Sequence, residues 1–180
     1  MTRGLFVGRF QPFHNGHLQI VKNLLEKVDE LIIVIGSSQY SHDLENPFTA
    51  GERITMIREA LKAEGIPCYR YWLIPVPDLH VHMLWVSQVV GYTPKFDIVF
   101  TNEPLTKRLF IEAGYKVESI PYYKRELYSA TEIRRRILND EPWKDLVPKT
   151  VAEKIVQFGG VERIKPVSYT HLTLPTTERV

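Results

Sequence analysis

Apolar residues fall along this chain in two recurring patterns, short unbroken runs and longer stretches with a helical period. Gly4–Val7 and Leu31–Ile35 are apolar or β-branched throughout and end at Gly8 and Gly36, as strands buried on both faces do. Between them Leu18, Val21, Leu24, Leu25 and Val28 are spaced 3, 3, 1 and 3 residues apart, which puts them on one helical face. Gly51–Ala63 predicts a second helix with Ile54, Ile57, Ala60 and Leu61 turned inward, opened by the capping-box pattern Thr49-Ala50-Gly51-Glu52. Tyr71–Val76 and Phe96–Phe100 predict further strands, followed by helical patterns over His82–Val90 and Pro104–Ala113. Lys116–Ile120 predicts a fifth strand, and Thr131–Asn139 and Lys149–Phe158 a closing pair of helices. Strand and helix alternate about every 30 residues, the spacing of βαβ units, so the fold class is α/β: a mostly parallel sheet with helices on both faces. Ligands of such sheets bind outside the carboxyl ends of the strands, and chemistry is to be sought just after each strand.

The 180 residues and their 44% hydrophobic content suit one domain, taken as 1–165, with no internal repeat or dividing linker. A formal net charge of +2 lacks the basic bias of a dedicated nucleic-acid binder. No stretch approaches the roughly 20 apolar residues of a membrane helix. The N-terminus reaches Arg9 too soon to hold a signal-peptide core. Cys68 is the only cysteine, which excludes an intrachain disulfide and a cysteine-cluster metal site. A cytoplasmic protein is expected. Residues 166–180 differ in character: Pro166 and Pro175 punctuate a stretch without helical period, and Val167–Thr177 resembles the translation of a transposon-type sequencing adapter. This tail, with His171, is expected to be non-native or a flexible extension, and it is set aside from the functional reading.

The strongest chemical signal is Gly8-Arg9-Phe10-Gln11-Pro12-Phe13-His14-Asn15-Gly16-His17, which leaves a buried strand and opens an amphipathic helix. Helix N-termini offer unpaired N–H groups and partial positive charge, which suits phosphate. Gly8 and Gly16 are expected to let an anion approach the backbone. His14 and His17, three residues apart, share a face of the first turn and can direct two imidazole donors at developing phosphate charge. A lone histidine is more often a packing or surface residue, but here two stand with two glycines and Arg9 at one junction. A zinc site on the pair lacks an adjacent third ligand.

The second signal is Tyr128-Ser129-Ala130-Thr131-Glu132-Ile133-Arg134-Arg135-Arg136. Ser129 and Glu132 fit a capping box at another helix start. Helix positions are about 100° apart, so the three arginines cannot share one site. The plain reading is a solvated basic face with one cap; the functional reading has the hydroxyls of Ser129 and Thr131 and nearby amides grip a polyphosphate that Arg134 clamps. A third segment, Asp78-Leu79-His80-Val81-His82-Met83-Leu84-Trp85, follows a strand. Trp85 offers an aromatic face to a cationic ring, or packs in the core. Asp78 accepts from a ribose or carboxamide, or caps the helix. His80 and His82 read as surface residues rather than a metal pair.

The first two motifs resemble the HxGH and SxTxxR signatures of the nucleotidyltransferase superfamily related to class I aminoacyl-tRNA synthetases. Gly4–His14, Gly36-Ser37-Ser38-Gln39, Asn46-Pro47-Phe48-Thr49-Ala50-Gly51-Glu52-Arg53 and Ser129–Arg136 are similar to the archaeal-type nicotinamide-nucleotide adenylyltransferases, over the chain up to about Lys165. The resemblance implies a Rossmann-like, HUP-type fold and transfer of AMP from ATP to nicotinamide mononucleotide, giving NAD and pyrophosphate by direct in-line attack. It implies magnesium entering with ATP, no assigned protein metal ligand, and a homo-oligomer, often a hexamer. Arg9, His14, His17 and Arg134 are then the catalytic set. Gly8, Arg9, Phe10, Gln11, His14, Gly16, His17, Ser129, Thr131 and Arg134 bind ATP. Gly36, Ser37, Asp78, His82 and Trp85 bind nicotinamide mononucleotide.

Three positions depart from the family pattern. Glu45 stands where a basic residue is expected, His82 where asparagine is expected, and Asn102-Glu103-Pro104 replaces Gly-Asn-Pro. Alternatives are an adenylyltransferase for phosphopantetheine or FMN, a cytidylyltransferase, or a non-catalytic nucleotide sensor. RNA binding lacks a basic stripe or anticodon-binding domain, and no G-x-x-x-x-G-K-[ST] signals an appended P-loop kinase.

Overall fold

A computed structural model describes residues 1–121 and 128–165; the tail 166–180 lies outside the described residues. The elements follow in the order β1 (Arg3–Gly8), α1 (Asn15–Leu25), β2 (Glu30–Ile35), α2 (Ala50–Ala63), β3 (Tyr71–Pro75), α3 (Trp85–Tyr92), β4 (Ile98–Phe100), α4 (Pro104–Glu112), β5 (Lys116–Glu118), α5 (Ala130–Leu138) and α6 (Lys149–Gln157). Short 3₁₀ turns occupy Cys68–Arg70, His82–Leu84 and Lys144–Leu146. The five strands form one sheet in the order β3-β2-β1-β4-β5, and every pairing is parallel.

The unbroken apolar runs have a direct cause in this layering. Alternate side chains of β2 enter opposite layers: Leu31, Ile33 and Ile35 join Phe6 and Phe100 under α1, α2, α5 and α6, while Ile32 and Val34 join Leu5, Val99 and Phe110 on the other face. All five of these β2 residues have no exposed surface. The chain steps outward from β1 to β2 and β3, then returns to place β4 on β1's other side. That reversal leaves a crevice beyond the carboxyl ends of β1 and β4, the usual ligand position in such sheets.

Several element boundaries differ from the sequence pattern for identifiable reasons. β4 begins at Ile98 rather than Phe96, because Asp97 turns its carboxylate onto the Arg3 N–H at 2.9 Å. β5 stops at Glu118 rather than Ile120, because the Asn102 side chain takes both polar main-chain atoms of Ile120. The helical pattern at His82 starts as a 3₁₀ turn without a side-chain cap, and α3 proper begins at Trp85. In α2 the buried stripe is Arg53, Met56, Ile57, Ala60 and Leu61, with Ile54 only partly covered. A charged residue thus joins the inward stripe, while Ile54 packs against the edge of the same core.

Candidate active site

Main-chain geometry at the end of β1 shapes the site. Phe10 takes a left-handed φ of 54° and folds its buried ring back over Gly8, where a Cβ would stand 2.7 Å from that ring. Gly16 is similarly crowded, since a Cβ there would lie 2.9 Å from the His14 ring and 3.0 Å from Tyr128 Cβ. A side chain at either position would thus meet the chain's own side chains, a constraint separate from any approach of an anion. Gln11 lines the crevice as expected, and its side chain has a structural task as well. Its buried side chain donates to the Phe48 carbonyl at 3.0 Å and accepts from the Phe48 N–H at 2.9 Å. The Gln11 side-chain amide thus ties the loop to the segment before α2, and the Gln11 main-chain carbonyl accepts from Arg134 at 2.8 Å.

His14 and His17 close the first turn of α1 on each other. The His17 N–H donates to His14 Nδ1 at 3.2 Å, and the His14 N–H donates to His17 Nδ1 at 3.1 Å. The two rings stack with centroids 3.6 Å apart, and Phe13 and Phe10 pack against His17 at 5.5 and 4.8 Å. Each Nδ1 is an acceptor, so each neutral ring carries its proton on Nε2 and keeps that N–H as a donor. Burial holds His14 in the neutral form, with its pKa pushed down to about 3. Burial, reinforced by His14, lowers His17 well below its ordinary value.

The same crevice, about 660 Å³, is lined by Gly8, Arg9, Phe10, His14, His17, Ser129, Thr131 and Arg134 together with Asn102 and Glu103 beyond β4. Ser129 caps α5 by accepting the Glu132 N–H at 3.1 Å. The expected return arm is missing, because the Glu132 carboxylate is held by Arg135 and Arg136. Those two arginines are engaged there and by Glu141 and the Pro142 carbonyl. Arg134 alone of the three lies against the crevice, 3.4 Å from the Thr131 hydroxyl. Burial, then neighbouring Arg9, lowers its pKa from the usual arginine value.

A second cavity, about 360 Å³, opens on the other side of the β1 end and shares Val7, Gly8 and Arg9 with the first. Gly36, Ser37, Asp78, His80, His82 and Trp85 line it, with Leu105 and Thr106 from α4. Two loops are stitched together at its lip. Gln39 and Asp78 exchange hydrogen bonds at 2.8 and 2.9 Å, and the Tyr40 hydroxyl meets His80 Nε2 at 2.5 Å. Asp78 caps no helix; its carboxylate accepts the His80 N–H within the loop. Glu45 faces Arg9 at 3.8 Å in an exposed pair. Among the described residues no cluster of three or more His, Cys, Asp or Glu is placed to hold a metal ion. No helix among them is long and apolar enough to cross a membrane.

A Cytidylyltransferase-like family model matches residues 5–136. The chain is 52% identical over 167 residues to the nicotinamide-nucleotide adenylyltransferase of Saccharolobus solfataricus, covering 93% of this chain and 97% of that one. It is 53% identical to the enzyme of that name from Pyrococcus furiosus, over 92% of this chain and 88% of the relative. The chain belongs to the nicotinamide-nucleotide adenylyltransferase family. A bifunctional NMN adenylyltransferase/ADP ribose pyrophosphatase from Francisella tularensis shares the fold, with a TM-score of 0.80 at 22% identity. That match covers 95% of this chain and 54% of the bifunctional one, about half its length.

Some contributors to this adenylyltransferase-family site have no role assigned from sequence, although Gln39 and Arg53 stand in the family-like motifs and Asn102 at a departure from one. Arg53 is fully buried under the two loops, and Gln39, Tyr40 and Asn102 hold loop segments in place. The clue for Arg53 was its inward helical register beside Ile57 and Ala60, which apolar periodicity passes over.

Proposed function

We propose that the chain transfers the adenylyl group of ATP to the phosphate of nicotinamide mononucleotide, releasing pyrophosphate and NAD. The observation that carries this reading is the pair of cavities meeting over Val7–Arg9, one lined by paired imidazoles and arginines, the other by Trp85. ATP occupies the first, along Gly8, Phe10, Gln11 and the Ser129–Thr131 helix start, with Gly16 behind the His14 ring. The nicotinamide nucleotide occupies the second, with its pyridinium on Trp85 and its polar groups near Gly36, Ser37, Asp78 and His82.

A phosphate oxygen of the acceptor forms a bond to the α-phosphorus as the bond to the pyrophosphate oxygen breaks. That nucleophile is already ionised near neutral pH, since its second pKa is about 6, so no general base is needed. The chain's work is to align two anions that repel and to neutralise charge on the α-phosphate and leaving group. Arg9, Arg134 and the Nε2–H donors of His14 and His17 do this. Magnesium would enter with ATP as part of the substrate and would offset charge on the triphosphate.

Pyrophosphate release from the full chain with ATP and magnesium tests the proposal, using nicotinamide mononucleotide, phosphopantetheine and FMN as acceptors. Release with the pyridine nucleotide is expected. Release only with another acceptor moves the substrate, and ATP binding without release favours a nucleotide sensor. Residues 1–165 form the functional unit in this reading, so a chain ending at Lys165 should react at the same rate. Self-association as a hexamer is part of the proposal, tested by light scattering, where a monomer mass would remove it. A cytoplasmic location, with no nucleic-acid or membrane partner, completes it.

A further inference from the structure

Arg53 is a fully buried cation that no carboxylate among the described residues offsets. Its five N–H donors are spent on five main-chain carbonyls instead. Nε donates to Thr49 at 3.2 Å, one terminal nitrogen to Arg9 at 3.0 Å and Gly36 at 2.9 Å, and the other to Ser37 and Tyr40 at 3.3 Å each. Burial, then Arg9, lowers its pKa only to about 10, so it is charged at neutral pH.

The two carbonyls held by the single nitrogen occupy equivalent places. Arg9 follows β1 and Gly36 follows β2, and Gly36 donates to the Gly8 carbonyl at 2.8 Å, so the two turns lie side by side. Each carbonyl precedes a non-glycine residue with positive φ: Phe10 at 54° and Ser37 at 48°. That conformation is disfavoured for side chains with a Cβ and needs support from its surroundings. In a trans peptide the N–H points opposite to the C=O. Carbonyls drawn down onto Arg53 therefore turn the Phe10 and Ser37 N–H groups up, away from the guanidinium. Neither N–H donates to a protein acceptor among the described residues. Phe10 lines the crevice with the histidines, and Ser37 lines the cavity with Trp85.

We propose that Arg53 is a positioning residue that holds these two peptide planes so that the Phe10 N–H faces the phosphates of ATP and the Ser37 N–H faces the 5′-phosphate of the acceptor nucleotide. Arg53 touches neither substrate; it acts through the amides it orients. A lysine keeps the charge but cannot fork between the Arg9 and Gly36 carbonyls while also reaching the other three.

The inference rests on the substrate placement proposed above, and the test separates the two. Titration calorimetry of the full chain compares nicotinamide mononucleotide with nicotinamide riboside, which lacks only the phosphate. The nucleotide should bind far more tightly to the wild type. Arg53→Lys should cut that advantage about tenfold, the worth of a hydrogen bond to a charged group, with riboside affinity nearly unchanged. An advantage that survives in Arg53→Lys, or equal weakening of both ligands as general loosening would give, overturns the role of Arg53. Equal binding of both ligands by the wild type overturns the phosphate placement itself, and the inference with it. A second measurement needs no variant: amide resonances of ¹⁵N-labelled wild type. The Ser37 N–H should move with the nucleotide and stay still with the riboside, whereas a Ser37 amide unmoved by the nucleotide contradicts the proposal.

Discussion

Neutral imidazoles suit the first turn of α1 better than charged ones, because each Nδ1 must accept a main-chain N–H for that turn to close. The outward Nε2–H groups then act as fixed dipolar donors. Removing one such donor costs about 2.7–4 kcal/mol of transition-state stabilisation, so His17→Ala should lower turnover roughly 100- to 1000-fold. Circular dichroism should show that variant folded, and turnover within a few fold of wild type would contradict the role. Burial of His14 also sets a pH dependence. An unfolded histidine titrates near 6.5, whereas folded His14 is held at about 3. Below about pH 6.5 the unfolded chain therefore binds more protons, and stability rises with pH up to that point. Urea midpoints should be level above about pH 7 and fall as pH drops toward 5, with a shallower fall in His14→Asn, which keeps an N-cap acceptor. Equal slopes would contradict a neutral, buried His14. At Glu45, the exposed pair with Arg9 is worth at most about 1 kcal/mol, so Glu45→Gln should lower the KM for ATP no more than about fivefold. A rise in KM would assign Glu45 a binding role that the geometry does not support.

At the scale of elements, the site depends on how α2 is held from both sides. Thr49 and Glu52 complete both arms of a capping box at its start. The Glu52 carboxylate also takes a bidentate pair from Arg163, at 2.6 and 2.9 Å, within the helical residues 160–165. Arg163 reaches the Pro47 carbonyl too, one residue from the Phe48 peptide that Gln11 grips. The C-terminal helix is thereby linked through α2 to the loop behind His14. Both partners are mostly buried, at 16% and 17% side-chain exposure, so removing one strands the other. Arg163→Met should destabilise the chain by about 3 kcal/mol in urea titrations. Glu52→Gln made together with Arg163→Met should cost clearly less than the two changes summed. Strict additivity would show that the pair does not couple the two helices.

At the scale of the whole molecule, the parallel sheet and the junction after β1 are legible in the sequence because each has a local signature. Leu31–Ile35 is apolar without interruption since both of its faces are covered, and His14 and His17 stand where a strand gives way to a helix. Helical spacing shows that Arg134, Arg135 and Arg136 cannot share one site, and the resemblance to the family motif selects Arg134. The supports are not legible in the same way. Arg53 ends the Asn46–Arg53 motif without an assigned role until the carbonyls of Arg9, Gly36, Ser37 and Tyr40 are brought over it. Gln11 reads as a site residue alone, and its second task, the tie to Phe48, is hidden because Phe48 is distant in sequence. Asn102 likewise reads as a loop residue until it ends β5 by pairing with Ile120. Such contacts depend on the order of strands in the sheet, which no local pattern encodes.

In the proposed reaction the chain supplies alignment and charge but no nucleophile, with both substrates bound at once across the end of β1. Stereochemistry at the transferred phosphorus tests it most directly. With ATP carrying one chiral α-phosphorothioate, a single in-line displacement gives the dinucleotide product with inverted configuration. Inversion is the result predicted here. Retention would require two displacements through a covalent adenylyl–protein intermediate, and would contradict the account.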